Sequence, residues 1–335
     1  MNKKDSVIAA ICHHETGFVP YTIELVSELQ VSVEERLGIA RGGFSAWVGN
    51  CVLKAGTDTG ETIAPGYYRD EYGVVWNRTV DKDIGNIENI LIPEPTLDNY
   101  TMPATNTELA RSRMTALLNA PQDAFKVFKI GSVLYERAWF LRGFENLLTD
   151  FYTEPAFVHK LMDAITERYI PEIEAAMECG ADGLYLGDDY GSQLGLVMSP
   201  DTWRTFIKPY LARLMAPALS RSKPVMLHSC GNITQIMPDL IDMGLSVYQT
   251  VQPEVYDLKK LKAEFGAHMC FFGAIGTQST LPHETPEKVR KVVLETCRIM
   301  GQNGGYICGP THKVTADTPP ENIIAMAEVL INQDS

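Results

Sequence analysis

The C-terminal half of the chain repeats one pattern: a short β-branched or aromatic run, a polar turn, then a segment with apolar residues at helical spacing. This pattern predicts strands at residues 183–186, 224–227, 246–250, 269–272 and 305–307. Helix start signals fill the gaps, because a capping hydroxyl precedes a first-turn proline at Ser199-Pro200 and again at Thr285-Pro286. Strands that alternate with helices of this size predict βα units and a parallel sheet.

The N-terminal half follows the pattern less regularly. It predicts strands at residues 18–25 and 125–131, a weaker strand at 50–53, and helices over 138–151 and 153–178. Between them, residues 64–102 are rich in Tyr, Gly and Asp, and DEYGVVWNR (70–78) predicts a β-hairpin outside the main sheet.

These elements add up to about eight parallel strands with helical returns. No Pro/Ser-rich linker divides the chain, and no G-x-G-x-x-G motif follows any predicted strand. We therefore predict the α/β class, specifically a (β/α)8 TIM barrel with N-terminal insertions. It would form a single domain over residues 1–335 with an irregular insertion at about 55–105.

Composition narrows the partners and the compartment. The 335 residues are 45% hydrophobic, which excludes a disordered chain, and the formal charge of -13 argues against nucleic acid or an anionic membrane as a partner. No apolar leader or membrane span is visible, and seven irregularly spaced cysteines are typical of a reducing compartment, so we expect a cytoplasmic protein. The expected partners are small molecules or another protein, and a homo-oligomer is possible.

Polar side chains follow most of the predicted strands, where a barrel carries its reactive groups. Four of them are candidate acids, bases or exchangeable ligands: Asp188, Glu24, Glu136 and His312. Six others are candidate substrate-binding residues: Arg137, Asp189, Tyr190, Gln193, Gln252 and Gln278. Ordinary roles compete with these, since an aspartate can bind loop amides and Glu136-Arg137 can form an ion pair at a helix start.

His228-Ser229-Cys230 is the sharpest of these groups. Residues i and i+2 at the end of a strand point the same way, so the imidazole and the thiol would converge on one point above the sheet. Cys308 ends the last predicted strand, and closure of the barrel can bring it to that point. Three ligands of the His-Cys-Cys type suit zinc and leave a fourth position open. The competing interpretation is that both cysteines are small buried hydrophobes.

Several segments together resemble the uroporphyrinogen decarboxylase superfamily: HSCGN (228–232), GDDYGSQ (187–193), FFGAIGTQ (271–278), GPTHKV (309–314) and TPPENI (318–323). The resemblance covers nearly the whole chain and is strongest from Phe125 onward. It implies a (β/α)8 barrel and one of two activities: decarboxylation of uroporphyrinogen without a cofactor, or zinc-dependent methyl transfer linked to a corrinoid.

The N-terminal third departs from the decarboxylase branch. The early arginine-rich segment that holds substrate carboxylates there corresponds here to VPYTIEL (19–25), which has no arginine and places Glu24 where it would repel a polyanion. The methyltransferase branch has a zinc motif H-x-C with a distant Cys, and His228, Cys230 and Cys308 match it. His312 matches a histidine of the decarboxylases and does not discriminate between the branches.

The resemblance therefore implies a methyltransferase that binds Zn2+ and moves a methyl group between a corrinoid protein and a thiol, a folate or a methoxylated or methylated small molecule. No D-x-H-x-x-G signature is present, so the corrinoid (cobalamin) would be supplied by a separate protein. One alternative is a cofactor-free decarboxylase of a smaller carboxylate that uses Asp188, His312 and Arg137. Another is a tetrapyrrole-binding protein without catalysis.

Overall fold

The computed structural model describes residues 1–80 and 85–333. Its strands are β1 (Val52–Gly56), β2 (Gly60–Ala64), β3 (Tyr67–Asp70), β4 (Val75–Asn77), β5 (Asn86–Ile87), β6 (Phe125–Ile130), β7 (Gly183–Gly187), β8 (Val225–His228), β9 (Val247–Val251), β10 (Cys270–Ile275) and β11 (Tyr306–Pro310).

The helices lie mostly between these strands. They are α1 (Lys3–Ile11), α2 (Ser27–Leu37), α3 (Phe44–Val48), α4 (Thr107–Asn119), α5 (Tyr135–Arg142), α6 (Phe144–Thr153), α7 (Pro155–Glu178), α8 (Pro200–Phe206), α9 (Lys208–Leu219), α10 (Met237–Asp242), α11 (Leu258–Phe265), α12 (Thr280–His283), α13 (Pro286–Met300) and α14 (Pro320–Ile331), with a 3-10 turn at Thr234–Ile236.

The main sheet is parallel and seven-stranded, in the order β1-β6-β7-β8-β9-β10-β11. A short extended segment around Tyr21 lies between its two edges. Cys308 N donates to Pro20 O at 2.7 Å on one side, and Cys51 N donates to Tyr21 O at 2.8 Å on the other. The segment makes only isolated bridges, at Tyr21 and at Leu25, instead of the continuous strand predicted over residues 18–25.

A second sheet, which we call the cap sheet, is antiparallel and runs β2-β3-β4-β5. It contains the predicted hairpin, because β3 and β4 pair across the turn at residues 71–74. Of the predicted insertion at about 55–105, residues 81–84 lie outside the described part of the chain. β2 is exposed along its whole length, whereas Trp76 of β4 is buried against the ring of Phe140 in α5.

The main sheet is buried on both faces, which explains the apolar runs that predicted its strands. Every residue of β7, β9, β10 and β11 is buried. The helices cover the outer face: α13, for example, turns Val289, Val293 and Met300 inward and exposes its charged residues. Among the described helices, none combines the length and apolar character needed to cross a bilayer.

The C-terminal predictions agree with the structure to within a few residues, since all five strands are present. The helix predicted over 138–151 is wrong in one respect: it is two helices, α5 and α6, separated by Gly143. Gly143 has φ +88°, a left-handed conformation that interrupts a helix. The weak strand at 50–53 is β1, which begins at Val52.

Candidate functional site

A cavity of about 680 Å³ lies between the carboxyl ends of the main sheet and the cap sheet. The carboxyl ends of β6, β7 and β8 contribute Ser132, Asp189 and His228 to its wall, and the middle of β9 contributes Gln249. Tyr68, Trp76 and Arg78 line it from the cap sheet. The cavity therefore occupies the face on which parallel α/β folds carry their chemistry.

Asp189, His228 and Cys230 converge at this cavity. One potential ligand atom from each lies within 4.8 Å of the other two, and this is the one such group found among the residues that the structure describes. His228 Nε2 is 3.5 Å from Cys230 Sγ and 3.5 Å from Asp189 Oδ1. We call these three residues the ligand group.

The donor set and its spacing fit zinc. Imidazole nitrogen, thiolate sulfur and carboxylate oxygen are all common zinc ligands. Two ligands of a tetrahedral zinc ion with bonds of ~2.0–2.3 Å lie roughly 3.3–3.8 Å apart, and the two measured separations of 3.5 Å fall in that range. Three protein ligands would leave a fourth position that faces the cavity.

Gln249 fixes the orientation of the imidazole. Its amide nitrogen donates to Thr311 O at 3.3 Å, so its Oε1 faces the ring and accepts from His228 Nδ1. Tyr185 OH donates to the same Oε1 at 2.7 Å. Nδ1 therefore carries the proton, and Nε2 keeps its lone pair toward the ligand group.

The loop after β8 is built to hold Cys230 in place. Cys230 N donates to Asp189 Oδ1 at 2.8 Å, and Tyr256 OH donates to Gly231 O at 2.7 Å. Gly231 has φ +77°, and a Cβ there would lie 2.3 Å from the backbone of Gly191. Only glycine fits at this crossing of two loops. Burial, and then the negative charge of Asp189, raise the pKa of the Cys230 thiol.

Asp188 does not enter the cavity; it caps α5. Its carboxylate oxygens accept from Tyr135 N and Glu136 N, each at 2.8 Å, and the residue is fully buried. Burial raises the pKa of Asp188 to about 7, although the two N–H groups favour its charged form. Asp188 thus caps the N-terminus of α5, and its predicted role as an acid, base or ligand stays a prediction.

Glu136 lies in the first turn of α5 and lines the cavity. Burial, and then the charges of Asp189 and Asp188, raise its pKa well above the ordinary value. Its carboxyl group is therefore the nearby acidic group that most readily stays protonated.

Glu24 also lines the cavity, beside three lysines. Its Oε2 lies 2.6 Å from Lys54 Nζ. Burial would raise the pKa of Glu24, but the charges of Lys54, Lys129 and Lys313 outweigh it and the pKa is lowered. From the sequence, Glu24 is expected to repel a polyanion; in the structure the charges of Lys54, Lys129 and Lys313 lie close enough to Glu24 to offset its own charge.

Arg137 connects the main body to the cap sheet. Its guanidinium pairs with Asp70 at 2.7 Å and lies 3.9 Å from the ring centre of Tyr72. Both side chains of the ion pair are nearly buried, at 8% and 11% exposure. The cations of α5 and α7 thus hold the β3–β4 turn, since Arg168 pairs likewise with Glu71 at 2.9 Å.

Four of the remaining candidates do not line the cavity: Tyr190, Gln193, Gln252 and Gln278. Tyr190 is fully buried against Trp203, and Gln252 Oε1 accepts from Gly231 N at 2.7 Å. Gln193 and Gln278 are hydrogen-bonded to each other at 3.0 Å in an exposed position. His312 does line the cavity, with its ring centre 5.7 Å from that of His228.

The structure does not bring Cys308 to the ligand group, which corrects its prediction as a metal ligand. Cys308 pairs in register with Gly273, whereas its neighbour Ile307 pairs with Phe272, which lines the cavity. Alternation along the strand therefore turns Cys308 outward. There its fully buried thiol lies beside Cys297 in α13 and raises the pKa of the Cys297 thiol. Asp189 takes the third place in the ligand group.

Sequence reasoning missed Gln249 and the cavity lysines. A signal for each was present, because Gln249 interrupts the buried strand VYQTV and Lys129 interrupts the apolar run FKVFKI. A polar side chain inside a buried strand requires a partner, and here the partners belong to the site.

The fold and the site together define a parallel α/β protein with a candidate metal centre at the carboxyl ends of its strands. Residues 138–332 match the family described as Uroporphyrinogen decarboxylase (URO-D). That match covers more than half of the chain, and the chain belongs to this family.

Curated relatives fall into two groups. A methylated-thiol--coenzyme M methyltransferase of Methanosarcina mazei is 28% identical over 186 residues, which is 55% of this chain and 47% of that protein. The methylcobamide:CoM methyltransferase MtaA of Methanosarcina barkeri is 29% identical over 165 residues, 49% of this chain and 46% of that protein. Uroporphyrinogen decarboxylases of several bacteria match at 23–25% identity. The chain spans about half the length of most of these relatives.

Among solved structures, a methyltransferase from Methanosarcina mazei superposes with a TM-score of 0.75. It covers 100% of both chains at 18% sequence identity. This likeness establishes a shared fold.

Proposed function

We propose that this chain is a zinc-dependent methyltransferase that acts with a separate corrinoid protein. The observation that carries the proposal is the convergence of Asp189, His228 and Cys230 within 4.8 Å at the cavity. The family contains methyltransferases, and one relative is named for a methylcobamide donor. The second transfer partner would be a small molecule that carries a thiol, a methoxy group or a methylated heteroatom.

In this proposal, His228 and Cys230 hold the ion through Nε2 and Sγ, and Asp189 supplies a carboxylate oxygen. A zinc ion bound there would keep a substrate thiol ionised or polarise a leaving heteroatom. Gln249 keeps Nδ1 of His228 protonated, so that Nε2 stays available. Glu136, whose carboxyl group lines the cavity, would release a proton to a leaving group or accept one from a thiol.

The decarboxylase alternative has less support from the site. Of the three residues assigned to it, Asp188 is occupied by two backbone N–H groups and Arg137 by Asp70. Of these three residues, only His312 has no hydrogen bond to another side chain in the described part of the chain, and it lines the cavity. The convergent thiol and imidazole have no part in that chemistry.

We also infer that the fold is a (β/α)8 barrel and that the whole chain forms one domain around it. The segment at Tyr21 would be the first strand, since it hydrogen-bonds both edges of the seven-stranded sheet.

The test is an assay of methyl transfer with free methylcobalamin as the donor. Loss of the methyl group from methylcobalamin is measured by the change in its absorbance. We expect transfer to a small thiol by the zinc-loaded wild type and none by Cys230→Ser. Cys308→Ser is the matched control, because it removes a thiol outside the ligand group. Release of CO2 from a carboxylate substrate, equal in wild type and Cys230→Ser, would support the decarboxylase instead.

A further inference from the structure

Two of the seven cysteines lie side by side in the layer between the main sheet and its outer helices. Cys308 belongs to β11 and is fully buried, whereas Cys297 belongs to α13 and is partly exposed. Neither residue is part of the ligand group. The proposed methyl transfer therefore gives this pair of thiols no role.

The fold directs the two side chains toward each other. Cys297 lies one helical turn after Val293 and one turn before Met300, and both of these residues are buried on the face of α13 that covers the sheet. Alternation along β11 turns Cys308 outward, to the side that the helices cover. The two thiols consequently meet between α13 and β11, in the apolar layer that both elements contribute to.

Burial and proximity also determine how the pair reacts. The adjacent Cys308, and then burial, raise the pKa of the Cys297 thiol. Because the thiolate is the form that attacks a disulfide, Cys297 reacts slowly and stays reduced when oxidant is scarce. Only Cys297 of the two is accessible from solvent, so an oxidant reaches it before it reaches Cys308.

We propose that Cys297 and Cys308 form a reversible disulfide by exchange with a small disulfide such as oxidised glutathione. The Cys297 thiolate attacks one sulfur of that disulfide and releases a small thiolate, which takes up the proton that Cys297 lost. The Cys308 thiolate then attacks the Cys297 sulfur, and the second small thiol leaves with the proton of Cys308. Two protein thiols thus become one disulfide, while one small disulfide becomes two thiols.

The bridge would join α13 to the strand that holds the segment at Tyr21. Cys308 N donates to Pro20 O at 2.7 Å, and Thr22 N donates to Cys308 O at 2.9 Å. A disulfide at this position restricts the unfolded chain and ties the helix layer to β11. We therefore expect the oxidised protein to unfold at a higher temperature than the reduced protein. This inference is independent of the proposed function, because both thiols lie outside the ligand group.

Peptide mapping of the full chain tests the bridge directly. The native protein is incubated with excess oxidised glutathione, the remaining thiols are alkylated under denaturing conditions, and the chain is digested with trypsin without reduction. Trypsin cleaves after Arg298, which lies between the two cysteines, so the bridge would hold the peptides of residues 292–298 and 299–313 together. Their joint mass should be two hydrogen atoms below the sum of the separate masses, and dithiothreitol should separate them.

Two results of this mapping would overturn the proposal. One is complete alkylation of both cysteines after the incubation. The other is a glutathione adduct on Cys297 as the sole product, since it would show that Cys308 does not reach the Cys297 sulfur in the folded protein. The mapping uses the wild-type chain, so neither result depends on whether a variant folds.

Melting temperatures of the oxidised and reduced forms measure the effect of the bridge. Oxidation should raise the melting temperature of the wild type by roughly 3–6 °C, and this rise should be absent in Cys297→Ala. Cys179→Ala is the matched control, because Cys179 is likewise partly exposed at a helix end and its thiol lies 3.9 Å from Arg111 O. It should keep the full rise. A rise of wild-type size in Cys297→Ala would contradict the proposal.

Discussion

His228 donates its Nδ1 proton to the side-chain oxygen of Gln249, which the neighbouring strand β9 brings opposite it in register. The Gln249 amide is itself anchored, since its nitrogen donates to Thr311 O at 3.3 Å. The imidazole is thereby held with Nε2 toward Cys230 and Asp189 before any ion binds. Loss of such a partner of a metal-binding histidine typically lowers metal affinity about 10–100-fold.

Removal of this support should weaken zinc binding without abolishing it. We expect Gln249→Ala to lower zinc affinity about 10–100-fold, because the ring loses the acceptor that fixes its tautomer. Gln249→Glu keeps an acceptor at the same place and should stay near the wild-type affinity. Competition with a chromophoric chelator measures both, and equal affinities of wild type and Gln249→Ala would show that the bond does not support the site.

Substitutions of the adjacent acids Asp188 and Asp189 should have different effects, one on stability and the other on zinc binding. Asp188→Asn leaves α5 with a poorer cap, and we expect the free energy of unfolding to fall by about 1–3 kcal/mol while zinc still binds. Asp189→Asn removes a charged ligand and should lower zinc affinity. Urea unfolding and zinc titration of both variants check this pair, and loss of zinc by Asp188→Asn alone would reverse the two assignments.

The buried ion pair between Arg137 and Asp70 should hold the cap sheet over the cavity. Asp70→Asn leaves the guanidinium buried without a counter-charge, so we expect a loss of about 3–5 kcal/mol in the free energy of unfolding. The exposed pair Arg69–Glu61 lies in the same sheet, with side chains 49% and 63% exposed. Glu61→Gln should therefore cost less than about 1 kcal/mol. Similar losses in both variants would show that the buried pair has no special role.

Much of the fold was predictable because apolar runs, capping residues and glycines act locally. The five C-terminal strands follow from such runs, since a strand covered on both faces needs no polar alternation. The segment at residues 18–25 has the composition of a strand, yet hydrogen bonds to both sheet edges are limited to its part around Tyr21.

The candidate site was predictable where two residues lie close in the chain. His228 and Cys230 converge because they are two positions apart at a strand end. The prediction that Cys308 joins this group depended on which face of the strand its side chain points to. The sequence leaves the register of the strand uncertain by one residue, and a shift of one residue turns a side chain to the opposite face. The sequence could not decide between the adjacent Asp188 and Asp189 for the same reason, because neighbouring residues of an extended segment point to opposite sides.

Zinc content tests the central claim most directly. Protein produced with zinc supplied, then dialysed and measured by elemental analysis, should hold about one zinc per chain in wild type and in Cys308→Ser. His228→Ala and Cys230→Ser should lose it while keeping the circular dichroism of the wild type. A wild type without zinc, or full zinc retention in Cys230→Ser, would contradict the account.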